Sequence, residues 1–382
     1  MAQRRAYRWG SAVSASCSRS RLRPGLHTSS SSRFVRAVWC SPGRRSRPLG
    51  CICAASGDAR RRHMRLQGSK IFAPDAWPHT EAPGEGAALR AHSLVKRFPG
   101  FQLGPVDLDV RLGHIYGLLG VNGAGKTTLL SCLAQQSAVS AGEILVGSRR
   151  VAWTDYSYRE LVGFVRELPV LYEPLSAAQH VRLAARLFTR WDPALAEHWL
   201  DLFRIDRRKR VRHFSKGMRV KLALILALAH QPRFLLLDEP MNGIDIESRF
   251  ELREFLQAIV ADADAAILVA SHVLQDVEAL ATDLIIIREG RIVFTSGYDA
   301  LGSLAAWTLP PDGQMQIPPS HQLLRAWVDR RGPHLLTRGP VPILDMPVPS
   351  TNVRRASLED VYLAFARGTD DKRMAPGQGT GD

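Results

Sequence analysis

The residues best suited to chemistry fall in three short strings. The first is Gly120-Val121-Asn122-Gly123-Ala124-Gly125-Lys126-Thr127, followed by Thr128, which fits G-x-x-x-x-G-K-[ST] at every fixed position. Glycines let the backbone approach a phosphate with no Cβ in the way, and the helix that follows turns its N–H groups to the same point. Gly120, Asn122, Gly123, Ala124, Gly125, Lys126, Thr127 and Thr128 are therefore the candidate phosphate cradle. Lys126 can reach the outer phosphates, and the Thr127 hydroxyl can ligate Mg²⁺. The second string, Arg233 to Pro240, is an apolar run that ends in Asp238 and Glu239. Asp238 suits Mg²⁺, directly or through water, and Glu239 suits a general base that polarises the attacking water. The third is the run Ala265 to Ala270, ending in Ser271-His272. His272 at such a strand end can hydrogen-bond a terminal phosphate oxygen and register its loss. Taken together, these residues suit hydrolysis of ATP with Mg²⁺.

Positioning them requires an α/β fold. His114 to Leu119 reads as a short buried strand entering the loop, and Thr128 to Leu133 as the helix leaving it. An apolar run such as Phe234 to Leu237 suits a central parallel strand, whose C-terminal end is where such sheets hold ligands. Leu89 to Phe98 and Gln102 to Val110 alternate as strands around a Phe98-Pro99-Gly100 turn, and Gly142 to Val146 and Leu161 to Val165 read as two more. Residues 174–214 change to helical periodicity, with helices predicted over Gln179–Arg190 and Ala194–Phe203. Arg207-Arg208-Lys209-Arg210 then reads as a solvated basic corner. Leu222 to Ala229 is a buried core helix, and Ile285 to Val293 a hairpin around Glu289-Gly290. Residues 301–355 suggest a small appended unit of short strand-like runs. Ser357, with Asp360 three residues on, starts a closing helix.

Net charge is +15, which invites a nucleic-acid reading until it is mapped. Residues 1–63 hold 14 arginines against one acid, Asp58, so the remaining chain carries only about +2. That segment has the composition of an organellar transit peptide, or of translation upstream of a later start such as Met64; disorder is expected in it. Residues 64–87 read as a linker and 368–382 as a disordered tail. Four of the five cysteines lie before residue 63, so no disulfide framework is implied. No stretch approaches about 18 consecutive apolar residues, so no transmembrane helix is expected.

Phe214-Ser215-Lys216-Gly217-Met218, with Ser215 lying 23 residues before Asp238, resembles the Leu-Ser-Gly-Gly-Gln signature of the ABC ATPases. Ser215 and Gly217 keep that pattern, whereas Lys216 and Met218 depart from it in the manner of ABC-2 type exporter subunits. The order of motifs matches the family over roughly 88–300. The resemblance implies a P-loop NTPase core, a mixed, largely parallel sheet with an antiparallel β-subdomain, plus a helical subdomain over about 174–230. It implies that Phe98 stacks on adenine, and that Ser215 and Gly217 meet the γ-phosphate held by a second copy of the domain. Asp245 resembles the D-loop aspartate that communicates between the two sites. Glu167 falls on the Q-loop glutamine and is a further candidate for Mg²⁺ or its water. Lys216 would lie against the partner's nucleotide or point to solvent. The implied partners are a second ATP-binding domain, identical or different, and integral membrane permease subunits, with the chain peripheral at the cytoplasmic face of the membrane. A soluble ABC-type ATPase acting on nucleic acid or ribosomes is the alternative, and a binding-only subunit ranks low because Glu239 and His272 are both present.

Overall fold

The computed structural model describes residues 88–262, 265–309, 320–329, 332–339 and 352–366. The expectations for residues 1–87 and 368–382 lie outside these. In chain order, the hairpin strands β1 (Ala88–Phe98) and β2 (Phe101–Arg111) lead to β3 (Ile115–Leu119) and α1 (Lys126–Leu133). Next come β4 (Ala141–Val146), β5 (Arg149–Arg150), α2 (Tyr156–Arg159) and β6 (Val162–Val165). The helices α3 (Ala177–Ala184), α4 (Pro193–Leu202) and α5 (Lys216–Leu228) follow. They give way to β7 (Phe234–Asp238), α6 (Ile246–Asp262), β8 (Ala266–Ser271), α7 (Leu274–Glu278), β9 (Asp283–Arg288) and β10 (Arg291–Gly297). Last are β11 (Leu304–Thr308), β12 (Gln322–Asp329), β13 (Gly332–Arg338), β14 (Asn352–Arg355) and α8 (Leu358–Ala366).

The central sheet runs β10-β9-β3-β8-β7-β6, parallel except for the β9–β10 hairpin. Its β3, β7 and β8 are buried at every position, as expected for strands covered on both faces. Register then does the positioning. Leu119 pairs with Ser271 and Asp238 with Ala270, so the chain leaves β3, β7 and β8 at one rim. The antiparallel sheet β2-β1-β4-β5 shares a core with this sheet through Leu89, Leu103, Leu118, Leu130 and Leu236. Helix α7 can lie on β3 because residue 117 is glycine: a Cβ there would sit 2.2 Å from Val277 Cγ1.

The helical layer packs on the other face. Ser215, Asp192 and Ser176 cap α5, α4 and α3 with side-chain oxygens, each the residue type that satisfies free N–H groups at a helix start. Trp199 is fully buried, edge-on to Phe255 at 5.5 Å, and Phe203 meets the same ring at 4.8 Å. The helix expected over Gln179–Arg190 is shorter and shifted. It starts early because Ser176 and Gln179 form a reciprocal capping box. It stops at Ala184 because the chain beyond turns inward, where Phe188 stacks on His230 at 3.9 Å. The basic corner is only partly solvated: Arg207 is held by Glu197 and Asp201, and Lys209 lies over the Phe214 ring.

Residues after 300 form a third sheet, β12-β13-β11-β14, backed by α8. Asp360 and Ser357 cap each other at the α8 start, as the sequence suggested. One hydrophobic cluster joins this region to the central sheet, with Leu119, Val277 and Ile286 packed among Leu301, Trp327, Leu336 and Val361. Among the described residues no helix is long and apolar enough to cross a membrane.

Candidate functional site

The glycine-rich loop closes into α1 through Gly125, whose φ of +109° lies in the left-handed region. A side chain there would also strike Phe101 and Leu103, 3.1 and 3.2 Å from the built Cβ. No side chain caps α1, so its first N–H groups face the loop opening, where an anion can take them. Lys126 is buried and folds back on its own loop, its Nζ donating to the Gly120 carbonyl at 2.8 Å. The same Nζ lies 3.4 Å from Glu239 Oε1.

β7 supplies the carboxylates. The Thr127 hydroxyl donates to Asp238 Oδ2 at 2.8 Å, joining the loop to the strand end. Asp238 Oδ1 is buried and has no hydrogen-bond partner among the described residues. Burial pushes the Asp238 carboxyl above its ordinary range; the Thr127 hydrogen bond opposes this, while the charges of Glu239 and Glu167 add to it. A buried carboxylate oxygen left over beside a hydroxyl and a second carboxylate fits a small, hard divalent cation that prefers oxygen ligands. No group of three or more His, Cys, Asp or Glu side chains among the described residues could hold a metal alone. A cation here would take its remaining ligands from phosphate and water.

Glu239 is reached through a backbone twist. Its φ is +48°, rare for a residue with a side chain, and it is 8% exposed. That turn swings the carboxylate away from the strand axis. Glu239 Oε2 lies 2.8 Å from His272 Nδ1, while Oε1 faces Lys126. Ser271 folds its hydroxyl onto the Val273 N–H at 3.0 Å, setting the turn that presents His272. Lys126, Thr127, Asp238, Glu239 and His272, expected together from sequence, thus form one connected group.

Glu167 joins at the edge. Its Oε1 accepts from Asn242 Nδ2 at 2.7 Å, tying the segment after β6 to the segment after β7. Phe98 ends β1 half exposed, with Lys96 Nζ over one face of its ring, 5.1 Å from the centroid. Phe101 was not singled out from sequence, yet it is the aromatic packed against the loop at Gly125.

Ser215 and Gly217 make no hydrogen bond or ion pair with the phosphate loop among the described residues. The Ser215 hydroxyl instead caps α5, accepting from Met218 N at 3.2 Å. A Cβ on Gly217 would lie 3.1 Å from Ser248 Oγ, so that glycine packs on the start of α6. Asp245 caps that helix, accepting from Ser248 N at 2.8 Å. The Lys216 side chain is half-buried and lies along Gly243, with Nζ 3.0 Å from where a Cβ there would sit.

The ABC transporter family matches residues 103–242 of the chain. The chain is similar to the lantibiotic transport ATP-binding protein SrtF of Streptococcus pyogenes, with 32% identity over 53% of this chain and 87% of that protein. It is 31% identical to the bacitracin transport ATP-binding protein BcrA of Enterococcus faecalis, over 49% of this chain and 62% of that protein. Among solved structures, an ATP-binding subunit of an ABC transporter superposes with a TM-score of 0.52 and 29% identity, covering 56% of this chain and 91% of that one.

Proposed function

The chain belongs to the ABC transporter ATP-binding proteins, and from that premise we propose how its residues divide the work of binding ATP, hydrolysing it and passing on the energy. The reading is carried by one observation: Lys126 and Thr127 of the glycine-rich loop already touch Glu239 and Asp238 of a different strand. Gly123 to Thr128 and the open start of α1 hold the phosphates, and Lys126 exchanges the Gly120 carbonyl for phosphate oxygens. Phe98 receives the adenine. Thr127 and Asp238, with Glu167 or its water, hold Mg²⁺. Mg²⁺, when bound, neutralises charge on the transferring phosphoryl group. Glu239 accepts the proton of the attacking water, and His272 holds Glu239 in place while facing the phosphate that departs.

Ser215 and Gly217 make no hydrogen bond with the loop of their own chain among the described residues, and we assign them to the nucleotide of a second ATP-binding domain. Closure of such a pair around ATP, and opening after hydrolysis, is the stroke delivered to separate membrane-spanning subunits. SrtF and BcrA are named for lantibiotic and bacitracin transport, which favours export as the direction here. Action on nucleic acid has no observation in its favour, since the basic excess lies in residues 1–63. The test is Glu239→Gln: ATP-dependent dimers should persist while turnover falls by about a thousandfold, the scale lost with a catalytic base. Unchanged turnover would remove the base assignment.

A further inference from the structure

Two helices leave the reactive rim side by side, and one ion pair joins them. α6 starts at Ile246, capped by Asp245, and α7 starts two residues after His272. Arg249 of α6 lies with Nη1 3.5 Å from Oδ1 of Asp276 on α7. Asp276 is 4% exposed, which is unusual for a carboxylate on a surface-laid helix. Burial pushes its carboxyl up, Arg249 and Arg253 pull it down, and it also feels the charges of Glu239 and His272. Packing alone does not require an acid here, because Val277 already seats α7 against Gly117. At 3.5 Å the pair is longer than a tight charge-assisted bond, so it has room to shorten.

The start of α6 is gripped from the opposite side. Gly217 abuts Ser248 and Asp245, and Lys216 lies along Gly243. The segment 243–249 is therefore held between the Ser215–Gly217 turn and Asp276. Continuing along α7 and back through Ser271, the same contacts end at the 2.8 Å contact between His272 and Glu239.

We infer that the Arg249–Asp276 pair is a positioning contact that ties the setting of His272 against Glu239 to the seating of Ser215, Gly217 and Asp245 at the opposite rim. It rests on the assignment of Glu239 and His272 given above. Engagement of the Ser215–Gly217 turn shifts the start of α6 as a unit. Arg249 then draws on Asp276, and α7 carries His272 with it. Neither Arg249 nor Asp276 is among the residues assigned to nucleotide or Mg²⁺ above, so removing either should slow the chemical step and leave affinity for ATP alone.

Steady-state ATPase of the full chain with Mg²⁺-ATP tests this in wild type, Glu239→Gln, Arg249→Gln, Asp276→Asn and the Arg249→Gln/Asp276→Asn pair. Each single variant should lower kcat about tenfold with KM within about twofold, and the pair should be no slower than the slower single. Arg249→Lys, which keeps the charge, should recover much of the loss. Losses that multiply in the pair, or that appear in KM, overturn the inference, as do singles within about twofold of wild type. Should Asp276→Asn fail to fold, the more exposed Arg249 carries the test through Arg249→Gln and Arg249→Met, and a kcat within about twofold of wild type in both overturns the inference. A wild-type chain without ATPase overturns the site assignment as well. An active wild type silenced by Glu239→Gln, with additive singles, overturns only the coupling.

Discussion

Acidification should loosen the helical layer through one histidine. His230 follows α5, is 1% exposed, and stacks face to face on Phe188 with the ring planes 8° apart. Burial lowers its pKa from the ordinary 6.5 to about 4; the Glu160 charge and the Val162 backbone offset only part of this. The native state therefore prefers the neutral ring, and between those two values the unfolded chain binds more protons. The stability this ring allows is fully present above pH 6.5 and falls as the pH drops toward 4. The loss is about 2 kcal/mol at pH 5 and about 3 kcal/mol at pH 4, and solvent screening takes little from it because the ring is buried. Urea unfolding at pH 7.5 and pH 5.0, in wild type and His230→Phe, measures it. The phenyl ring keeps the stack and cannot titrate, so any packing cost is common to both pH values. Wild type should lose about 2 kcal/mol more than the variant on acidification. Equal losses within about 0.5 kcal/mol would refute the burial reasoning.

Three further outcomes are expected. Lys126→Ala should weaken ATP binding by about tenfold or more, since a point charge on the outer phosphates is removed; fluorescent-nucleotide titration reads it. Trp199→Ala should destabilise the chain by about 3–5 kcal/mol, the range for a large aromatic removed from a packed core, seen as a lowered urea midpoint. Gly117→Ala sets a methyl 2.2 Å from Val277 Cγ1 and should cost about 1–3 kcal/mol while lowering kcat more than ATP affinity, because α7 is pushed off β3.

What could be read from sequence was whatever the chain writes contiguously. The phosphate loop, the Asp238-Glu239 strand end and the Ser271-His272 step are local strings whose strand and helix flanks announce themselves. Their convergence also follows from a parallel sheet, which brings strand ends to one rim. The contacts between distant segments were not readable. The route of Lys216 depends on where Gly243 lies, and the burial of Asp276 depends on α6. The early end of α3 came from Phe188 preferring His230 to another helical turn, a tertiary choice overriding periodicity. Its early start was legible in Ser176-Ala177-Ala178-Gln179, a capping-box string that the apolar spacing concealed. The basic corner is solvated at Arg208 and Arg210, and the pairing of Arg207 with Glu197 and Asp201 of the preceding helix does not show in a run of like charges.

The strand that delivers the chain to the phosphate loop ends at Leu119, and Leu119 is roofed in part by side chains numbered above 300. A version ending at residue 300 would leave that strand end wet on one flank. Such a trimmed protein should be poorly soluble, and any slackness in its nucleotide grip would trace to the missing roof rather than to a damaged loop. The described residues beyond 300 are, in this sense, part of the wall of the reaction chamber.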